Sequence, residues 1–418
     1  MTSPDLLRRP DWRVAMPALL LLAGGAVYID AATGGKPAWL FLLGGALGLV
    51  LYHAAFGFAS AWRAFLVQGR GEGLRAQMVM LGLATLLFFP LLDAGAALGL
   101  KAALGLQDLK VVGAVAPLAP SVAVGAALFG LGMQLAGGCA SGTLYTVGGG
   151  STKMVFALVF FMVGSLIGAA HLPWWLAVTW WPEAQNHSIS LLTEWGLWPA
   201  LMAQLAVFAL IAGLTLWLER RRRAAASTSL APADPLWRRL VGGPWPLVWG
   251  AIGLAVLNAV TLVSAGHPWN VSFGYTLWGG KLAAAAGVDL SAYEFWTWPY
   301  PSRALAGSVF AETTSVMNFG VLAGAFLAAG LAGRFNPAWR LPWRQVLAAA
   351  LGGLLMGYGA RLAFGCNVGA FFSGVASGSL HGWLWFLCGL SGSYLGTLLR
   401  PFFGLSGRLV TRPAPQVA

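Results

Sequence analysis

Windows of about 20 consecutive apolar residues recur along nearly the whole chain, and no other feature limits its fold so severely. A hydrocarbon core of ~30 Å takes about that many residues to cross as a helix, and inside it every backbone N–H and C=O must be paired within the protein. Of 418 residues, 58% are hydrophobic and only 9% charged, against about 25% charged in a soluble domain. An ordinary water-soluble domain is excluded, and an all-α polytopic membrane protein is expected. The 57 glycines let transmembrane helices approach backbone to backbone and so argue for a compact bundle. Tryptophans at the expected span ends, such as Trp174, Trp175, Trp180 and Trp181, suit the membrane interface.

Apolar stretches bounded by charge, Pro or Gly place spans near 14–29, 38–62, 76–92, 111–136, 154–172, 195–218, 246–263, 304–331, 346–363 and 381–399, ten crossings in all. The first run follows Arg8 and Arg9 like a signal peptide, but further spans behind it favour a retained helix. Shorter apolar or Gly-rich pieces at 94–106, 137–150, 271–287 and 365–378 read as re-entrant segments or broken helices, which need protein or a polar cavity to satisfy their backbone. The hydrophilic segment 219–243 reads as a cytoplasmic linker between a first membrane half, 1–218, and a second, 244–400, with 401–418 as a cytoplasmic tail.

The 25 Lys+Arg against 13 Asp+Glu give a formal charge of +12, which in a soluble protein would raise the question of nucleic acid. In a membrane protein the positive-inside rule accounts for it, and no nucleic-acid partner is expected. The arginines fall in short groups: Arg8, Arg9 and Arg13; Arg63, Arg70 and Arg75; Arg220 to Arg223 with Arg238 and Arg239; Arg334, Arg340 and Arg344; Arg400, Arg408 and Arg412. Placing all of them at the cytoplasmic face, in contact with anionic lipid, sets both termini on the cytoplasmic side of a bacterial inner membrane.

Comparing the halves exposes a repeat. Residues 130–142 read GLGMQLAGGCASG and residues 357–369 read GYGARLAFGCNVG, seven identities in thirteen positions that include a rare cysteine. Further on, GSLIG at 164–168 mirrors GSYLG at 392–396. With the arginine groups inside, the span before Cys139 runs inward and the span before Cys366 runs outward, so the two halves are expected to be inverted and pseudo-symmetric. Inverted repeats with interrupted helices are a common plan for secondary transporters, with the solute site where the repeats meet.

Each motif sets a cysteine after Gly138 or Gly365 and three residues before Gly142 or Gly369. Glycines permit turns of positive φ and close approach of a solute. A half-helix N-terminus at such a break exposes N–H groups that attract anions. A thiol donates a weak S–H hydrogen bond and, as thiolate, attacks sulfur. Together these suit a sulfur anion, whereas a lone membrane cysteine is otherwise a small buried hydrophobe. Cys388 has no counterpart in the first half. Arg361 stands where the first repeat has Gln134, and serves either to attract an anion or to pair with Glu312 in the span 304–331. Asn367 borders Cys366, and with Asn258 and Asn318 it reads as helix glue or a pore-facing amide. Three widely spaced cysteines form neither a disulfide framework nor a metal cluster. With no HExxH, paired carboxylates or Walker A sequence either, no cofactor or metal is expected and the chain is not the ATPase of a primary pump.

The loops GGCASGTLYTVGGG (137–150) and YGARLAFGCNVGAFFSGVASGSLHGWLW (358–385) resemble the signature loops of the YeeE/YedE family of sulfur-transport membrane proteins. SAGHPWNVSFGYTLWGGKLAAAAG (264–287) resembles a stretch of its longer members. The resemblance implies an all-helical, hourglass-shaped permease that takes up thiosulfate or, in some branches, another sulfur or selenium compound. It implies that pore cysteines, here Cys139 and Cys366, pass the solute along by S–H hydrogen bonds without covalent chemistry. A further cysteine near the outer mouth of the thiosulfate importers has no obvious match in Cys388, and a separate cytoplasmic sulfur carrier is implied by analogy. The rival reading is a membrane sulfurtransferase whose thiolate relays sulfane sulfur to a cytoplasmic acceptor. Against it stands the absence of a general base beside either cysteine in the sequence. A structural or assembly subunit would leave the repeated cysteines unexplained.

Overall fold

The computed structural model describes residues 9–93, 110–180, 186–222, 235–338 and 340–405. Among them β structure is limited to isolated bridges, Pro117 with Ser188 and Ser190 with Ser379. The helices in chain order are α1 (Trp12–Thr33), α2 (Gly35–His53), α3 (Phe58–Gln68), α4 (Glu72–Leu92), α5 (Pro120–Ala136), α6 (Ala140–Gly148), α7 (Thr152–Ala177), α8 (Leu191–Trp195) and α9 (Leu197–Arg221). They continue as α10 (Leu236–Gly242), α11 (Leu247–Ala265), α12 (Ser272–Ala285), α13 (Pro299–Ala306), α14 (Thr313–Leu331), α15 (Trp343–Leu362), α16 (Ser373–Ala376) and α17 (Leu380–Leu399). Nine stretches of the described residues are long and apolar enough to cross a membrane. A tenth long helix, α17, lies along α5. The chain is an all-α, multi-pass membrane protein.

Three expected spans end elsewhere than composition placed them. The stretch 38–62 is not one helix: α2 stops at His53, Ala55 takes the positive φ of 46°, and α3 starts afresh at Phe58. The stretch 111–136 becomes helical only at Pro120, whose fixed φ suits the first helical turn while its missing N–H bars any helix from running through it. The stretch 304–331 is interrupted before α14, so Glu312 lies at that helix's start and not within a span. The proposed segment 94–106 lies outside the described residues.

Side-chain contacts gather the arginine-bearing ends. Arg75 pairs with Glu219 at 2.5 Å, joining the start of α4 to the end of α9. Arg400 donates to the Gln134 carbonyl at 2.5 Å, joining the end of α17 to the end of α5. Gln134 in turn donates to the Ala59 carbonyl of α3 at 3.0 Å. Helix ends rich in arginine therefore share one end of the bundle, the arrangement that the positive-inside rule favours.

The centre of the bundle is packed through glycine. A Cβ on Gly130 would overlap the Gly389 carbonyl and the Ser393 nitrogen; one on Gly357 would overlap the Phe161 carbonyl and the Ser165 nitrogen. The accompanying hydrogen bonds match as well: Ser393 Oγ donates to Gly130 O at 3.1 Å, and Ser165 Oγ to Gly357 O at 3.2 Å. These contacts correspond residue for residue under the motif alignment, which pairs Gly130 with Gly357 and GSLIG with GSYLG. Helices α5 and α15 cross antiparallel, Gly125 against Gly359 and Gly132 against Gly352. The same alignment maps that crossing onto itself.

Candidate functional site

Both cysteines sit where a helix breaks inside the bundle. Helix α5 ends at Gly137, whose φ of 96° only glycine adopts cheaply. The chain then extends through Cys139, which caps α6. Helix α15 ends at Leu362, Phe364 takes φ 56°, and Cys366 stands extended before the π-helical turn Asn367–Phe372. A π-type turn inside a membrane bundle leaves backbone groups in unusual directions and recurs at functional sites. Cys139 is 1% exposed and Cys366 0%. The Cys139 sulfur accepts from Gly142 N–H at 3.3 Å and lies 3.4 Å from Ser141 Oγ. Among the motif glycines, a Cβ on Gly369 would strike the Asn270 amide at 2.7 Å and one on Gly365 the Ala370 nitrogen at 2.6 Å. Gly138 has ordinary room, and at Gly142 the nearest neighbour is the Cys139 sulfur at 3.3 Å.

The hydroxyl of Tyr275, on α12, donates to the Ala140 carbonyl at 2.9 Å. Its ring meets Phe161 at 4.6 Å, Phe161 meets Phe129 at 6.2 Å, and Phe129 meets Trp385 at 5.4 Å. The Trp385 indole donates to the Gly365 carbonyl at 3.2 Å. An aromatic collar thus ties the two cysteine loops together through α12, α7, α5 and α17. None of its members was singled out from sequence, where aromatic residues at helical spacing look like ordinary core. The stretch 264–287, noticed for its resemblance, contains Tyr275.

Beside the Cys366 loop lies a cavity of ≈420 Å3 lined by His267, Trp269, Asn270, Arg361, Gly369 and His381 among others. Arg361 stands over the Phe295 ring at 5.3 Å and the Phe273 ring at 6.0 Å and donates to Thr276 Oγ1 at 3.4 Å. Its Nε is buried without a partner. Of the two roles open to Arg361, pairing with Glu312 is overturned. Glu312 spends its carboxylate on the start of α14, accepting from Thr314 N at 2.9 Å, Ser315 N at 2.7 Å and the Tyr300 hydroxyl at 2.8 Å. Asn367 is 0% exposed, and neither its Oδ1 nor its Nδ2 has a partner. A buried amide left unpaired costs about 1–3 kcal/mol, so Asn367 does not behave as helix glue. Asn258 and Asn318 do: Asn258 Nδ2 donates to Ser373 Oγ at 3.2 Å and Asn318 Nδ2 to the Val271 carbonyl at 2.9 Å. Cys388 is a free, half-buried thiol on α17, one turn past Trp385. No group of three His, Cys, Asp or Glu suited to a metal occurs among the described residues.

Several known proteins are similar in sequence to this chain. A thiosulfate transporter, TsuA of Spirochaeta thermophila, is 29% identical over 352 residues, 83% of this chain and 94% of the relative. The Escherichia coli thiosulfate transporter TsuA is 24% identical over 82% of this chain and 88% of its own length. A probable transporter, YedE of Escherichia coli, is 32% identical over 38% of this chain and 39% of its own. The model of the sulphur transport family matches residues 53–395, which takes in both cysteine loops, the aromatic collar and the cavity, and the chain belongs to that family.

Proposed function

We propose that this protein imports a small sulfur oxyanion of the thiosulfate class across a bacterial inner membrane. The anion enters the cavity at Arg361, passes Cys366 and then Cys139, and leaves at the arginine-rich, cytoplasmic face. The observation that carries this reading is the pair of buried thiols at matched helix breaks, with a partnerless guanidinium nitrogen and the partnerless Asn367 amide beside Cys366. An anion stripped of water needs donors at each stop, and S–H groups, helix N-terminal N–H groups and the guanidinium are such donors. The antiparallel crossing of α5 and α15 with its matched glycine contacts supports halves inverted about the centre of the bundle, where a transporter places its site. Relatives named as thiosulfate transporters over more than four-fifths of this chain support the solute. Passage without a covalent step is favoured because the hydrogen-bond partners of the Cys139 sulfur are a hydroxyl and an amide, and neither is a base.

The test is uptake of thiosulfate with its two sulfurs separately labelled, into proteoliposomes carrying wild type, Cys139→Ala, Cys366→Ala or Cys388→Ala. Both labels should arrive together, the first two substitutions should cut the rate at least tenfold, and Cys388→Ala should stay within twofold of wild type. Arrival of the outer sulfur alone would replace the permease with a sulfur-relaying enzyme. A wild type that moves neither thiosulfate nor selenium analogues would end the transport proposal for these solutes.

A further inference from the structure

The loop between α11 and α12 holds one residue with unusual force. The Trp269 N–H donates to Asn258 Oδ1 at 2.8 Å, and the Trp269 carbonyl accepts from Ser373 Oγ at 2.9 Å. Asn258 and Ser373 are themselves bonded at 3.2 Å. Both backbone groups of Trp269 are therefore clamped by buried side chains from α11 and α16. The next residue, Asn270, uses its Oδ1 on Val271 N and Ser272 N at the start of α12. A loop fixed this way presents its side chains in one geometry. Yet the indole of Trp269, a side chain 1% exposed, keeps its Nε1 buried with no acceptor. Trp269 lines the same cavity as Arg361, whose Nε is likewise without a partner.

Buried N–H groups are almost always paired, and an orphan costs free energy unless something supplies an acceptor. Here two residues that line a single cavity beside the Cys366 loop each hold a buried donor without a partner, one neutral and one cationic. Indole has a donor and no acceptor, so it rewards an oxygen and gives nothing to a cation or a neutral donor. We propose that the Trp269 indole N–H and the Arg361 guanidinium form a capture site for the oxygen end of the transported oxyanion, holding it while its terminal sulfur faces Cys366. This rests on the import function proposed above and adds to it a residue that discriminates among solutes: a species with a sulfonate-like end and a soft sulfur end satisfies both stations, whereas sulfide satisfies only the second. The first repeat has Gln134 where Arg361 stands: its Nε2 donates to the Ala59 carbonyl, and its side-chain oxygen, an acceptor only, offers an anion no hydrogen bond. Capture is therefore confined to the outer face.

Trp269→Phe keeps the ring and removes only the N–H. In proteoliposomes with thiosulfate as the probe, it should raise KM about tenfold, the loss expected for one hydrogen bond to a charged acceptor, while kcat stays within twofold. Trp269→His, which keeps a ring N–H, should recover part of that KM. On the purified protein in detergent, thiosulfate should raise Tm for wild type and do so much less for Trp269→Phe, with the two Tm values close in its absence. An unchanged KM and an unchanged thiosulfate-dependent rise for Trp269→Phe, beside an active wild type, would overturn the capture site and leave the import function standing. A fall in kcat at constant KM would overturn it equally. An inactive wild type would instead remove the import function on which it rests.

Discussion

The hydroxyl of Tyr275 donates to the carbonyl of Ala140 at 2.9 Å, so α12 of the second half is bonded to the residue that follows Cys139 in the first. Both groups are buried. The bond fixes where the α6 N-terminus stands relative to the second half, while the Ala140 carbonyl keeps its place in the α6 ladder. Tyr275→Phe should cost about 1 kcal/mol or somewhat more, and uptake should fall several-fold because the Cys139 loop loses its anchor. Rates measured for Tyr275→Phe and for Phe161→Leu separate the bond from the ring packing. If the phenylalanine variant transports at the wild-type rate, the tyrosine serves the collar through its ring alone.

Among the described ion pairs none joins Arg361 to Glu312. The guanidinium rests on Phe273, Phe295 and Thr276, while the carboxylate caps α14. Arg361→Gln removes an intramembrane cation and should slow anion uptake at least tenfold, because Arg361 is the one lysine or arginine among the described residues that line the cavity. Glu312→Gln weakens a helix cap and should act on stability, by about 0.5–2 kcal/mol. The double variant should show the sum of the two effects within about 0.5 kcal/mol. A coupling well above that would mean the two charges communicate across the cavity after all.

The motif around Cys139 and Cys366 was legible in the sequence because a rare residue recurred among glycines, and so was the helical, membrane-spanning class, because hydropathy alone dictates it. Span ends were legible only where charge marked them. At His53 the apolar run continues through Ala54 and Ala55, so nothing in composition announces that the helix stops there. Glu312 looked like an intramembrane charge because the apolar residues on either side hid the interruption before α14. Tyr275 and Trp269 stayed hidden for a different reason. Their importance lies in a single polar atom each, one bonded across the halves and one unbonded, and a sequence shows the ring without showing the fate of its hydrogen.

The matched packing of the halves yields a prediction that no cysteine chemistry enters. Gly130 and Gly357 occupy corresponding places, and at each a Cβ would overlap a carbonyl of the neighbouring helix, Gly389 in one case and Phe161 in the other. A methyl group there has to push two backbones apart, and overpacking of that kind costs about 1–3 kcal/mol. Gly213 on α9 has nothing within 4 Å of its Cβ position. Gly213→Ala should therefore be neutral or stabilising by up to about 1 kcal/mol, since alanine is the better helix former. Unfolding of the purified variants in detergent should show Gly130→Ala and Gly357→Ala lowered by similar amounts and Gly213→Ala unchanged or raised. Because the serine bonds that accompany the two glycines have lengths of 3.1 and 3.2 Å, a large difference between the two would mean that the halves share a motif without sharing its packing energy. If both are as tolerant as Gly213, the helices at the centre of the bundle stand farther apart than backbone contact requires, and the thiols at their ends lose the rigid frame that holds them on one path.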